Sequence, residues 1–380
     1  LAQSPRRILM TVPAVGGVWT YALELARALA GCGVSVSMAT MGAPLSPEQR
    51  AETSRVANLE VFESDYKLEW MEDSWSDVRE AGQWLLGLEE LIRPDVVHLN
   101  GYAHGALEWR APVLMVGHSC VLSWWRAALG RPAPARWNQY RVEAARGLSA
   151  AGVVVAPSRA MLATLERHYG PARDGRVIYH GRDASSFETK GKDEFVMAAG
   201  GRWDEAKNLW ALGRAAAQIA WPVLVAGETR RAGEDGAAMN NVHRLGFLPR
   251  PKLSGWLARA PIYASPARYQ PFGLAALEAG LSGCALVLGD IHSLREVWED
   301  AAIFVPPDDA EALRDALEEL IENPRLRATY GSRARMRALE FTPHRMAAGY
   351  LAAYADLIGG RHARLGDRDS AAGRRDVCAL

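Results

Sequence analysis

The feature that most constrains this chain is an alternation of short aliphatic runs with helix-patterned stretches, and it occurs twice. The first series places apolar, β-branched runs at residues 8–12, 34–39, 96–99, 113–116 and 153–156, with a helical pattern at 21–29 after a glycine turn. The second begins after a polar, glycine-containing stretch at 181–194 and places runs at 195–199, 223–226, 262–264, 285–288 and 303–305, with a helix predicted over 205–220. Continuous apolar strands separated by helices predict parallel sheets covered on both faces. Two series predict an α/β chain of two Rossmann-like, doubly wound domains facing a cleft. Ligands of such sheets bind outside the carboxyl ends of the strands, so the cleft is the expected site. The boundaries follow: an N-terminal domain over 1–180, a C-terminal domain over 181–342, a helix over 343–359 packing back towards the N-terminal domain, and a tail over 360–380 with little to bury, expected to be disordered.

Composition narrows the classes. A chain of 380 residues is long for one core and comfortable for two. Lys plus Arg equals Asp plus Glu at 44 each, so no global field argues for nucleic acid. Cys32, Cys120, Cys284 and Cys378 form no CxxC pair, which speaks against a zinc site or a disulfide framework and suits a reducing compartment. No apolar run approaches the roughly 20 residues that span a bilayer, and the first residues lead into a strand rather than a signal-peptide core. A cytoplasmic location is expected. Arg126, Arg131, Arg136, Arg141 and Arg146 surround the single acid Glu143. The simpler reading of 126–146 is a solvated basic face; the sharper one is peripheral contact with anionic lipid at the inner face of a membrane.

Two segments carry chemistry. Phe272-Gly273-Leu274 follows a strand and opens a helix that runs through Glu278. A helix start offers unpaired N–H groups and the positive end of a dipole, both suited to phosphate. Gly273 lacks the side chain that would block close backbone approach. A carboxylate at Glu278 suits a ribose diol while the diphosphate sits on the helix start. Upstream, Arg202 stands at the end of the first strand of the second domain and Lys207 early in the next helix. A guanidinium fork and an ammonium near strand ends would clamp a diphosphate and stabilise it as a leaving group.

Together these segments resemble the retaining glycosyltransferases of family 4, which have the GT-B architecture. That family carries Glu-x7-Glu with Phe-Gly-Leu after the first Glu, and an upstream Arg-x4-Lys pair. Gly16-Gly17 is similar to its glycine loop near the donor phosphates, His118 to its active-site histidine, and His180-Gly181-Arg182-Asp183 through Phe187 to its Asn-Gly-Val-Asp…Phe segment between the domains. The resemblance implies a donor site of Gly16, Gly17, Arg202, Lys207, Gln270, Phe272, Gly273, Leu274 and Glu278, with His118, Arg202 and Lys207 serving catalysis. It implies transfer of a hexosyl group from a nucleotide diphosphate sugar, with a UDP-sugar favoured, to a sugar or lipid-linked acceptor hydroxyl in polysaccharide, glycolipid or glycoconjugate synthesis. The leaving phosphate would help to deprotonate the acceptor, and no metal or other cofactor is expected. One position departs: the first glutamate of the family pair is Gln270 here. Glutamine keeps an acceptor oxygen, adds an amide donor and loses the charge, which opens the identity of the donor sugar.

Other readings stand beside these. Gly16-Gly17 lacks the GxGxxG spacing and gives no case for NAD. His98 reads as structural and His180 as a contact of the linker. Trp124 and Trp125 cannot share a helix face, so one is expected to pack inward and the other to line the acceptor cleft. A GT-B epimerase or phosphorylase, or a catalytically weak nucleotide-sugar-binding subunit permitted by Gln270, are the rival functions.

Overall fold

The computed structural model of the chain describes residues 4–200, 205–227 and 240–372, with side chains described to residue 360. Its first half is built from β1 (Arg7–Pro13), α1 (Gly17–Ala30), β2 (Ser35–Met41), α2 (Pro47–Thr53), β3 (Leu59–Glu63), α3 (Trp75–Ile92), β4 (Val96–Leu99), β5 (Val113–Val116), α4 (Val121–Leu129), α5 (Asn138–Ala150), β6 (Val153–Ala156), α6 (Arg159–Tyr169) and β7 (Gly175–Val177). The second is built from β8 (Val196–Ala199), α7 (Leu209–Ala216), β9 (Val223–Ala226), β10 (Val242–Gly246), α8 (Arg250–Arg259), β11 (Ile262–Ser265), α9 (Leu274–Leu281), β12 (Ala285–Gly289), α10 (His292–Trp298), β13 (Ile303–Val305), α11 (Ala310–Glu322) and α12 (Pro324–Ala338). A final helix, α13, runs Pro343–Ala372.

The first sheet has the order β3-β2-β1-β4-β5-β6-β7 and the second β10-β9-β8-β11-β12-β13. Every pairing in both is parallel. The apolar runs make this so. In β1, Ile8, Met10 and Val12 enter the core shared with α1 and α13, while Leu9 enters the one beneath α3. A strand buried on both faces needs helices on both sides, and parallel crossovers supply them. The order reverses between β1 and β4 in the first sheet and between β8 and β11 in the second. At such a point the two connecting loops diverge to opposite faces and leave a crevice.

Three edge strands, β3, β7 and β10, were not among the sequence-predicted runs. Their residues are partly exposed, so they carry polar side chains that dilute the apolar signal. The helix predicted over 205–220 is shorter, Leu209–Ala216, because Asn208 adopts a left-handed conformation (φ +53°) at its start. Helix α13 crosses back onto the first domain, where Met346, Ala347, Tyr350, Ala353, Tyr354 and Ile358 join the core around α1. It continues to Ala372, through much of the stretch expected to be disordered. Residues 344–372 contain no proline and eight alanines, though also four glycines, so propensity permits a helix there without strongly favouring it. Residues 373–380 lie outside the described ones.

Candidate functional site

Both switch points open onto the same place. The loop after β1 carries Gly16, whose φ of +80° suits glycine, and α1 begins at Gly17 with no side-chain cap. The loop after β11 carries Gly273, φ +95°, and α9 likewise begins without a side-chain cap. A Cβ placed on Gly17 would lie 3.5 Å from Leu274 Cδ1. The two uncapped helix starts therefore abut across the domains, each offering backbone N–H groups.

Lys207 and Gln270 meet in this crevice, Nζ donating to the amide Oε1. Lys207 lies in the turn before α7, not in the helix as expected, because the left-handed Asn208 separates them. Gln270 is held at its backbone by Ser293 Oγ, which donates to its carbonyl at 2.6 Å. Its amide nitrogen passes 3.2 Å from where a Cβ of Gly273 would stand, so glycine at 273 serves both the turn and the room for this side chain. Phe272 is buried and packs edge-on against His180 with ring centroids 5.0 Å apart. Arg202 lies outside the described residues.

On the opposite wall His118 follows β5. Its Nε2 lies 2.7 Å from Asn100 Oδ1, and the network assigns the proton. Asn100 Nδ2 donates to the Thr11 carbonyl at 2.8 Å, so Oδ1 is the atom facing the histidines and can only accept. His118 thus carries its hydrogen on Nε2 and leaves Nδ1 as a lone pair. His98 Nε2 also reaches Asn100 Oδ1, at 3.3 Å, and its Nδ1 accepts from Tyr354 Oη of α13 at 2.6 Å. Tyr21 packs on His118 and His180 with centroids 4.7 Å away in each case. Burial pushes His98 and His180 down to about 3. Burial also holds His118 well below its ordinary value, reinforced by His180 and His98. All three rings are neutral near pH 7.

Glu278 stands on α9 with its side chain 12% exposed, its Oε1 3.0 Å from Nε of Arg182. The junction around these residues is clamped by polar contacts from both domains. Tyr269 Oη accepts from the Cys120 backbone N–H at 3.0 Å and from Ser123 Oγ at 2.9 Å, docking the front of the 269–274 block onto the start of α4. Ser158 Oγ donates to the Pro271 carbonyl at 2.7 Å. Glu296 of α10 accepts from the backbone N–H groups of Arg159 and Ala160, at 2.7 and 3.0 Å, and from Tyr179 Oη at 2.9 Å. A carboxylate of one domain thereby caps a helix of the other.

Trp124 and Trp125 are both half-buried, so neither packs fully inward as expected. Their rings meet at 5.8 Å and 77°, and the guanidiniums of Arg131 and Arg136 lie over Trp125 at 5.3 and 5.6 Å. Beyond the end of α4 lies a cavity of about 640 Å³ lined by residues including Gly130, Asn208, Trp210, Arg214 and Arg268. Its lining includes neither Lys207 nor Gln270 nor Glu278. Among the described residues no group of three or more His, Cys, Asp or Glu could hold a metal ion. No described helix is long and apolar enough to cross a membrane.

Asn100 and Glu296 were not singled out by sequence reasoning and Tyr269 was given no role, because the partners that define them, His118, Arg159 and Cys120, lie 18, 137 and 149 positions away. Arg182 did leave a signal: it stands where the resembled family has valine.

Two facing parallel α/β sheets with this crevice define the GT-B class of glycosyltransferase fold. Sucrose-phosphate synthase from Thermosynechococcus elongatus superposes with a TM-score of 0.80 at 21% identity, over 93% of this chain and 100% of that one. Anabaena HepE, solved in complex with UDP-glucose, superposes at 0.70 with 19% identity, over 91% of this chain and 98% of that one. In sequence, residues 15–186 match the family described as Glycosyltransferase Family 4 and residues 182–337 that described as Glycosyl transferases group 1. The chain belongs to glycosyltransferase family 4. Among curated relatives, the D-inositol 3-phosphate glycosyltransferase of Kribbella flavida is 26% identical over 384 residues, covering 89% of this chain and 90% of that one. The chain matches only 29% of the length of the O-antigen chain mannosyltransferase B of Escherichia coli, with 28% identity over 109 residues, 29% of this chain.

Proposed function

We propose that this protein transfers a hexosyl group from a nucleotide diphosphate sugar to an acceptor hydroxyl, with retention at the anomeric carbon. The observation that carries this reading is the convergence of Lys207, Gln270 and the Gly273-Leu274 helix start with the Gly16-Gly17 turn across the domain junction. Backbone N–H groups, an ammonium and a glycine-cleared approach are what a diphosphate requires. The sugar would then lie towards Gln270 and the neutral His118, whose Nδ1 lone pair suits a sugar hydroxyl. Arg202 is proposed to join Lys207 on the phosphates.

In the reaction the bond from the anomeric carbon to the β-phosphate oxygen breaks. The bond to the acceptor oxygen forms on the same face, and the acceptor proton passes to that phosphate oxygen. Lys207 and the helix-start N–H groups stabilise the charge left on the diphosphate. A UDP-sugar is the favoured donor, in keeping with the UDP-glucose complex of the HepE neighbour. No metal or other cofactor is invoked. The acceptor is a sugar or lipid-linked hydroxyl, approached past Trp124 and Trp125, and the basic stretch at 126–146 is proposed to face a membrane surface.

A thermal-shift screen against UDP-, GDP- and ADP-sugars tests the donor, since a ligand that binds the native state raises its stability by mass action. NMR of the product's anomeric proton tests the stereochemistry. Conversion of the nucleotide sugar with no acceptor present would mark an epimerase, and an inverted product would remove the retaining reading.

A further inference from the structure

Among the described residues, the guanidinium of Arg182 is the most deeply buried positive charge in the crevice. Its side chain is 4% exposed, and it sits between Glu24 of α1, 5% exposed, and Glu278 of α9, 12% exposed. One terminal nitrogen pairs with Glu24 Oε1. Nε lies 3.0 Å from Glu278 Oε1, yet its N–H is not aimed at that oxygen and makes no hydrogen bond. Its flat face covers the Phe187 ring at 5.1 Å, and its backbone N–H donates to the Phe341 carbonyl at 3.0 Å. The group is thus fixed from several sides and still holds one unmet donor beside Glu278.

The surrounding charges sharpen this. Arg250 approaches Glu24 at 3.8 Å and Glu52 at 3.8 Å. Arg27 also approaches Glu24, at 3.5 Å from the exposed side, so three carboxylates meet three guanidiniums, and Arg182 is the most buried of the three cations. Without Arg182, Glu24 would keep only the more exposed Arg27 and Arg250, and Glu278 would lose the guanidinium that lies 3.0 Å from it. Burial strongly disfavours an unpaired carboxylate.

We infer that Arg182 is the positioning residue of the donor's ribose subsite, an inference that rests on the nucleotide-sugar reading above. Arg182 pairs with one carboxylate oxygen of Glu278, leaving the other for the ribose diol. Its unmet Nε–H is the donor that closes on Glu278 or on a ribose hydroxyl when the diol arrives. Through Glu24 it anchors this arrangement to α1 of the N-terminal domain, so the ribose subsite is complete only with the two domains in the relation seen here. Valine at this position could do none of this.

The test compares UDP with 2′,3′-dideoxy-UDP by calorimetry, with the GDP and ADP pairs run alongside. In the unaltered protein, removing the diol should weaken binding on the order of 100-fold, the scale of a lost pair of charge-assisted hydrogen bonds. In Arg182→Met that ratio should shrink to within about threefold, while Lys207→Ala should weaken both ligands and leave the ratio near its original value. Arg182→Lys keeps a charge and loses the fork, so it should give an intermediate ratio; it carries the same test if the Met variant does not fold. A full ratio retained in the folded Arg182 variants overturns the positioning role and leaves the nucleotide reading intact. If the unaltered protein binds none of the three nucleotides, the nucleotide reading itself falls, and this inference with it.

Discussion

Removing the His180 imidazole should flatten the acid limb of the protein's stability curve. His180 lies between Tyr21, His118 and Phe272 at the domain junction, and its Nδ1 has no hydrogen-bond partner. Burial holds it at about 3 in the fold, against about 6.5 in the unfolded chain. The unfolded state therefore binds one proton more than the native state between those values. Stability linked to this group is complete above about pH 6.5 and declines as pH falls towards 3. Each pH unit below 6.5 costs about 1.4 kcal/mol, so at pH 5 the loss is about 2 kcal/mol, and His98 adds a similar amount. Urea titrations of the protein and of His180→Asn at several pH values from 5 to 7.5 would measure this. Near pH 5.5 the slope of unfolding free energy against pH should be lower in the variant by about 1 kcal/mol per unit. Parallel curves for the two proteins would refute the reasoning, because they would mean that this ring takes up its proton as readily in the fold as out of it.

Three further predictions concern the crevice and its clamps. Lys207→Ala should lower kcat on the order of 100-fold with little change in melting temperature, as for loss of one donor to a developing oxyanion; steady-state kinetics with the identified donor measures it, and an undiminished kcat removes Lys207 from leaving-group stabilisation. Gly17→Ala should be tolerated, since its Cβ would meet Leu274 Cδ1 at 3.5 Å, whereas Gly17→Leu should force the helix starts apart and weaken nucleotide binding by more than about tenfold; equal affinities would show that the two helix starts do not act together. Glu296→Ala should destabilise the domain junction by about 1–2 kcal/mol, the lower part of the range for charge-assisted hydrogen bonds because the side chain is half-exposed; an unshifted thermal transition would argue against the clamp.

The GT-B architecture was legible because both sheets are parallel and buried. Strands covered on two faces must be continuously apolar, and such runs stand out at 96–99, 113–116, 153–156 and 285–288. The edge strands β3, β7 and β10 escaped because an edge faces solvent and its residues need not be apolar. The Phe272-Gly273-Leu274 block and Glu278 were visible because a helix start and a carboxylate one turn later are local features, set within a few residues. Lys207 was visible as a residue but misplaced, since the left-handed Asn208 that keeps it out of α7 is decided by the carbonyls of Pro266 and Pro307, which accept from its amide.

What sequence alone determined, then, is whatever depends on neighbours along the chain: the alternation of strands and helices, the glycine turns, and the donor motif. Tertiary structure decided everything that depends on a partner far away. It placed Asn100 to set the tautomer of His118 across 18 positions, and brought Tyr269 to the start of α4 across 149. It also changed the setting of the motif's own carboxylate. Glu278 does not wait in solvent for a ribose but already shares its space with Arg182, an ion pair between residues 96 positions apart. No local pattern reveals such a pair, because a buried charge is tolerated only where a distant one is folded against it.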